Sequence, residues 1–289
     1  MRHILTILLL LAAPAKAEVP NVVTDIAPVH SLATQVLGDL GTPVLLLDPG
    51  ADPHHFQLRP SQARTLSRAD VVIWVGKGLT PWLDDVIGNL GKDPINLELL
   101  DVPDLPLRVA PEAGFGHGDA DPHAWLDPLN AAHFLAAIAG ALASADPDNA
   151  PTYRANAARA AADLQALTRQ TEKQLQAAPV TMLIAYHDAY RYFLTRFDLD
   201  VSGSLTDSDA QAPSAARLAD LRGILATEQN ACLLAEPDAN PALIAALAQN
   251  RSLRVATLDA LGRDLAPGPG LYPELIRAMA QALSDCMAR

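Results

Sequence analysis

The stretch PTYRANAARAAADLQALTRQTEKQLQA, residues 151–177, is dominated by alanine, leucine, glutamine, glutamate, lysine and arginine, the residues that lose least on entering a helix. Pro151 falls in the first turn, where proline is tolerated, and Asp146-Pro147-Asp148 breaks the chain just before it. At 1.5 Å per residue this segment makes a helix about 40 Å long, enough to cross a molecule of this size. Both flanks alternate short apolar runs with helical periods, the pattern of parallel sheets with crossover helices. A helix of that length between two βα arrays reads as a rigid spine. The expected fold class is therefore α/β, with two Rossmann-like (βα) lobes joined by one long helix and a binding cleft between the lobes.

Upstream of the spine the expected strands are 21–24, 44–47, 71–75 and 95–97, and the expected helices 29–37, 60–68, 81–89 and 127–143. Gly38 stops the first helix, and Pro60 and Pro128 open two others. Residues 101–121 are rich in Pro, Gly and Asp without an apolar period and read as a surface loop. Downstream, strands at 180–185, 231–234 and 254–257 and helices at 189–196, 215–227, 241–249 and 271–287 repeat the pattern. A sheet of about four strands is expected in each lobe. The corresponding division is a leader over 1–17, an N-terminal metal-binding lobe over 18–146, the linking helix over 147–178 and a C-terminal lobe over 179–289.

The leader is recognisable by its parts. Arg2 and His3 precede an apolar run over 4–13 that is too short to span a bilayer, and Ala15-Lys16-Ala17 is a small-x-small cleavage site, so a secretory signal peptide is expected and the mature chain begins at Glu18. No cysteine follows the cleavage point to carry a lipid, and later apolar runs are interrupted by Asp, Arg or Pro. A soluble, exported protein without membrane insertion is expected. The net charge is -12, and the leader holds only basic charge, so the mature chain is more acidic still. Such a surface disfavours nucleic acid and anionic lipid and suits cations, although acidity also simply keeps secreted proteins soluble. Cys232 and Cys286 are the only cysteines. In an oxidising compartment an even pair is more often a disulfide than two free thiols, and closing such a loop stabilises by roughly 4 kcal/mol in the chain-entropy model.

Three histidines stand at edges of the expected elements: His54 in Gly50-Ala-Asp-Pro-His-His-Phe-Gln-Leu-Arg-Pro60, His123 in Asp121-Pro-His-Ala-Trp-Leu126, and His187 in Ala185-Tyr-His-Asp-Ala-Tyr190. A lone histidine is usually a surface or satisfied core residue. Three at comparable positions in separate βα connections point instead to the crevice where an α/β fold gathers its strand ends. Imidazole nitrogens suit zinc, which closes a tetrahedral site with three or four such donors. Asp259, in Thr257-Leu-Asp259, is the candidate fourth ligand; an aspartate after a strand is also a common helix cap, and water could fill that position. His55 should point away from His54, His30 fits a capping or surface role, and His133 a structural one. His117, with Asp119 and Asp121, could hold a second metal weakly. Trp125, Tyr186 and Phe56 flank the candidate ligands and could dry the site.

These residues also carry a resemblance. The run Gly50 to Ser61, His123-Ala-Trp-Leu-Asp-Pro128, Tyr186-His187-Asp-Ala-Tyr-Arg-Tyr-Phe193, Leu234-Ala-Glu236-Pro and Thr257-Leu-Asp-Ala-Leu-Gly262 resemble, in order, the motifs of ZnuA-type zinc-binding proteins of bacterial ABC importers. The resemblance spans nearly the whole mature chain. It implies two lobes on a long rigid helix, Zn2+ held in the cleft by His54, His123 and His187, and a disulfide where Cys232 and Cys286 fall. It further implies a monomeric periplasmic protein that docks on an ABC permease and delivers its ion. The chain departs from many such proteins in two ways: the loop before the second ligand keeps only His117, and Pro53 stands where some place a glutamate.

Three imidazoles favour zinc. Manganese-binding relatives place a carboxylate where this chain has His187, and oxygen-rich sites suit harder ions. A secreted zinc hydrolase is the competing class, since three protein ligands plus water is also the layout of catalytic zinc. Against it, the chain contains no His-Glu-x-x-His or Gly-x-Ser-x-Gly motif. An adhesin built on the same fold is a third reading. A spanning helix should resist wide hinge closure, so local loop motion is expected on binding.

Overall fold

A computed structural model describes residues 18–109, 120–179, 181–206, 213–228, 230–249 and 253–288. The leader and His117 lie outside the described residues.

The first half builds β1 (Val22–Thr24), α1 (Ala27–Leu37), β2 (Val44–Leu45), α2 (Pro60–Leu66), β3 (Val71–Trp74), α3 (Pro81–Gly88) and β4 (Ile95–Glu98). Then come α4 (Pro128–Ala145) and the long α5 (Ala150–Gln176). The second half builds β5 (Met182–His187), α6 (Arg191–Arg196), β6 (Val201–Thr206), α7 (Ala215–Thr227), β7 (Ala231–Ala235), α8 (Pro241–Ala248), β8 (Arg254–Thr257) and α9 (Leu271–Ala288). Each half forms a four-stranded sheet, in the orders β2-β1-β3-β4 and β6-β5-β7-β8, and every pairing is parallel. The two halves thus share one strand order. Proline lies in the first turn of α1 to α5 and of α8, where its fixed φ helps and its missing N–H costs nothing.

The central strands β3 (VVIW) and β7 (ACLLA) are buried along their whole length, as expected of parallel strands covered on both faces. Along β7 the side chains alternate between two cores. Cys232 and Leu234 join a cluster that runs through both halves and along α5, whereas Leu233 and Ala235 face a smaller cluster under α7 and α8. The larger cluster includes Trp74 from the first sheet, Tyr153 and Leu164 from α5, and Tyr192 and Tyr272 from the second half. The halves are therefore fused by one hydrophobic core rather than tethered. Cys232 and Cys286 are bonded, tying β7 to α9.

Several expectations need adjustment. The strand β6, of sequence VSGSLT, is not anticipated from the sequence: it is an edge strand with only Val201 and Leu205 as large apolar residues, too few to give a period. The helix expected at 189 starts at Arg191, because β5 runs to His187 and a turn intervenes. His30 is neither a cap nor a surface residue; it is buried in α1, with Nε2 3.0 Å from the Pro43 carbonyl. His133 is exposed on α4. That helix, 18 residues with mean hydropathy 1.3, would by length and composition cross a membrane, but half of it is buried and it packs on α5.

Candidate metal centre

In both sheets the strands run toward one cleft of about 460 Å³, lined by His54, His123, His187 and Asp259 together with Trp125, Tyr186, Tyr190 and Glu236. All four candidate ligands come from the carboxyl side of the strands. His54 lies between β2 and α2, His123 follows the connection out of β4, His187 ends β5, and Asp259 follows β8. This is the edge at which open α/β sheets hold ligands.

His123 and His187 come from opposite halves, are both buried, and stand with ring centroids 5.4 Å apart and planes at 71°. Two imidazoles bonded to one tetrahedral zinc at about 2.0 Å would have centroids roughly 5 Å apart. The pair fits that requirement as it stands. Each is backed by a carboxylate on Nδ1: Asp121 Oδ1 lies 2.8 Å from His123 Nδ1, and Glu236 Oε1 lies 3.5 Å from His187 Nδ1. Asp121 also accepts the His123 backbone N–H at 2.9 Å, while Tyr192 donates its hydroxyl to the Asp121 carbonyl at 3.2 Å. Burial pushes that phenol up to about 12, so it stays a neutral donor.

His54 is held by its loop. Gly50, at φ 78°, turns the chain in the region that favours glycine. Asp52 accepts the His54 N–H at 2.8 Å, and Trp82 Nε1 donates to the Pro53 carbonyl at 2.8 Å. Phe56 packs on Trp82, with centroids 5.4 Å apart. It serves the loop rather than the cleft. His55 is exposed and faces Asp52 at 3.0 Å. Among the described residues no three His, Cys, Asp or Glu side chains already stand close enough to ligate one ion. His123 and His187 are brought together, whereas His54 and Asp259 share the cleft without closing on them.

Asp259 is heavily engaged. Its Oδ1 accepts from the amides of Leu261 at 3.1 Å and Gly262 at 3.0 Å, and its Oδ2 from that of Arg263 at 2.6 Å. Gly262, at φ 67°, allows this tight turn. Three of roughly four acceptor positions are thus used, and the Arg263 guanidinium stands 4.0 Å away. One carboxylate direction remains for an ion. Asp188, next to His187, does not line the cleft; it is paired with Arg191, whose Nε is 3.2 Å away. Burial raises the Asp188 carboxyl above its ordinary range, and Arg191 partly offsets this.

Three comparisons bear on what this cleft is for. The profile of the family described as "ZnuA: Zinc-uptake complex component A periplasmic" matches residues 22–286. The high-affinity zinc uptake system protein ZnuA of Paracoccus denitrificans (strain Pd 1222) is 42% identical over 309 aligned positions, covering 96% of this chain and 94% of that protein. The protein of the same name from Brucella suis biovar 1 (strain 1330) is 31% identical, covering 94% of this chain and 93% of its own. Among solved structures, one titled "Crystal structure of ZnuA" superimposes with a TM-score of 0.79 at 25% identity, covering 93% of this chain and 99% of that one. The fold alone is shared with a laminin-binding adhesin (Lmb) of Streptococcus agalactiae, at TM-score 0.81 and 24% identity over 93% of this chain and 99% of that one.

Proposed function

As the chain belongs to the ZnuA family of periplasmic zinc-uptake components, we propose that it captures Zn2+ in the interlobe cleft and delivers it to an ABC permease. It takes up zinc as cargo, with His54, His123 and His187 as nitrogen donors and Asp259 or water as the fourth. The observation that carries this reading is the meeting of two buried imidazoles from opposite halves at 5.4 Å. With that pair already placed, the His54 loop need only move inward to complete three donors, so capture requires a loop shift and no rearrangement of the core. The protein acts in the periplasm as a monomer after loss of residues 1–17.

Manganese is the less supported cargo, because the three candidate protein donors ahead of Asp259 are nitrogens and harder ions prefer oxygen. Hydrolysis is disfavoured by the surroundings. Asp188, the carboxylate next in sequence to a candidate ligand, is paired with Arg191 away from the cleft and is not placed to activate a metal-bound water.

The test is metal analysis of protein purified without chelator, then zinc titration of the metal-free chain and of His54→Ala, His123→Ala and His187→Ala. One ion per chain is expected, with each variant weakened at least tenfold, since loss of a donor should cost no less than loss of a group behind it. Asp259→Ala should cost less, because water can replace one oxygen. Wild-type affinity in a histidine variant removes that residue from the site.

A further inference from the structure

Glu236 belongs to the Leu234-Ala-Glu236-Pro motif but is not one of the four candidate ligands. It follows the last residue of β7, and His187 is the last residue of β5. These strands are neighbours in the order β6-β5-β7-β8, so the two residues sit where connections from adjacent strands depart in opposite directions, the point at which such sheets bind ligands. We propose that Glu236 is a positioning residue for zinc capture: its carboxylate accepts Nδ1–H of His187, fixing the neutral tautomer that presents Nε2 to the cleft, as Asp121 does for His123.

The geometry gives the reason. Glu236 Oε1 is buried, accepts no hydrogen bond, and lies 3.5 Å from His187 Nδ1. A buried carboxylate oxygen without a donor is costly, so closing those few tenths of an ångström is favourable. Tyr190 also lines the cleft. Its hydroxyl donates to the Leu258 carbonyl at 2.6 Å, and burial, then the charge of Glu236, hold it well above the usual phenol range. Tyr190 therefore remains a neutral neighbour and does not take over the role of counter-charge. On the His123 side the same arrangement is complete, at 2.8 Å. A carboxylate behind an imidazole selects its tautomer, restricts its rotation and makes the far nitrogen a stronger donor. Both preset histidines, one from each half, are thus aimed by carboxylates.

This inference rests on the zinc-capture reading, and the test separates the two. The mature chain, labelled with 15N at histidine, is compared with Glu236→Ala and Glu236→Gln, metal-free at pH 8, by long-range 1H–15N correlation, with the His187 signals assigned from their loss in His187→Ala. Zinc affinity is measured on the same samples by competition with a chromophoric chelator. His187 should be an Nδ1–H tautomer in the wild type, shift toward Nε2–H in Glu236→Ala, and keep Nδ1–H in Glu236→Gln, whose amide oxygen still accepts. Zinc affinity should fall about 10- to 100-fold in Glu236→Ala and less in Glu236→Gln. If Glu236→Ala does not fold, a retained tautomer with weakened zinc binding in Glu236→Gln supports the assignment, because only the charge is lost. A His187 tautomer that is Nε2–H in the wild type or unchanged in Glu236→Ala overturns the proposal, as does an affinity within threefold of wild type in both variants. A tautomer shift in a protein that binds no zinc would leave the positioning role standing and refute the cargo.

Discussion

Removing the Arg196 guanidinium should destabilise the protein by about 2–3 kcal/mol. Arg196, on α6 in the second half, grips Asp127 at the start of α4 in the first, with Nε 2.8 Å from Oδ1 and a terminal nitrogen 2.6 Å from Oδ2. The Asp127 side chain is only 7% exposed and that of Arg196 is 29% exposed. Stripping the partner from a fully buried charge costs about 3–5 kcal/mol, and the partial exposure of Arg196 brings the figure down. Asp127 does a second job: its Oδ1 accepts the Leu129 N–H at 2.9 Å and caps α4, worth about 1 kcal/mol. Arg196→Met should therefore lower the thermal midpoint by roughly 5 °C for a chain of this size. In urea unfolding followed by tryptophan fluorescence, Arg196→Met, Asp127→Asn and the double variant should form a cycle with a coupling energy near 2 kcal/mol. A loss below about 0.5 kcal/mol in the single variant, or an additive cycle, would show that the pair is solvated in solution and holds nothing together.

Asp25 is fully buried between the Ile26 and Val75 amides, at 2.7 and 2.8 Å, and burial raises its carboxyl to about 7 against those hydrogen bonds. The fold thus favours the protonated form. Its contribution, up to about 4 kcal/mol, is full below about pH 4 and lost as pH rises through about 7. Asp25→Asn should flatten the stability profile between about pH 4 and 7 relative to wild type, and equal slopes in denaturation series across that range would refute this. The Cys232–Cys286 bond closes a loop with a sequence separation of 54, so the double serine variant should lose about 4 kcal/mol; a loss under 1 kcal/mol would mean the unfolded chain is not constrained as the entropy argument requires. His187→Glu replaces a borderline nitrogen with a hard oxygen and should narrow the zinc-over-manganese preference at least tenfold, about 1.4 kcal/mol, mainly by weakening zinc. Competition titrations with both metals check it, and an unchanged ratio puts selectivity in the cavity rather than in this residue.

Much of the architecture is legible in the sequence because long-range order here is written in local signals. The helix expected over 151–177 is observed as Ala150–Gln176, since alanine-rich composition and the Asp-Pro-Asp break decide it without tertiary help. The buried strands β3 and β7 announce themselves as unbroken apolar runs. β6 does not, because an edge strand with only two large apolar residues has its register set by pairing with β5, a contact that no window of sequence contains. The burial of His30 is hidden for a similar reason: it depends on the Pro43 carbonyl arriving from the next connection. The histidines of the candidate site are legible as residue types at element edges. Which of them are already together is not, because the 5.4 Å approach of His123 and His187 joins segments from different sheets. Glu236 was visible in a motif, yet its place beside His187 follows only from the strand order.

The continuous core also bears on how the molecule could be turned into a reporter. Fluorophores placed on the two halves, the usual arrangement for binding proteins that close like a jaw, would ride on surfaces locked by Trp125 Nε1 donating to the Ala260 carbonyl at 2.9 Å and Tyr272 donating to the Trp125 carbonyl at 2.7 Å. Their separation would barely change and the optical signal would be small. An environment-sensitive dye on the 50–59 segment, at exposed Gln57, sits instead on the loop that moves inward if zinc is captured as proposed. A zinc sensor made from this scaffold should therefore be labelled once, on that segment, and read by intensity rather than by energy transfer.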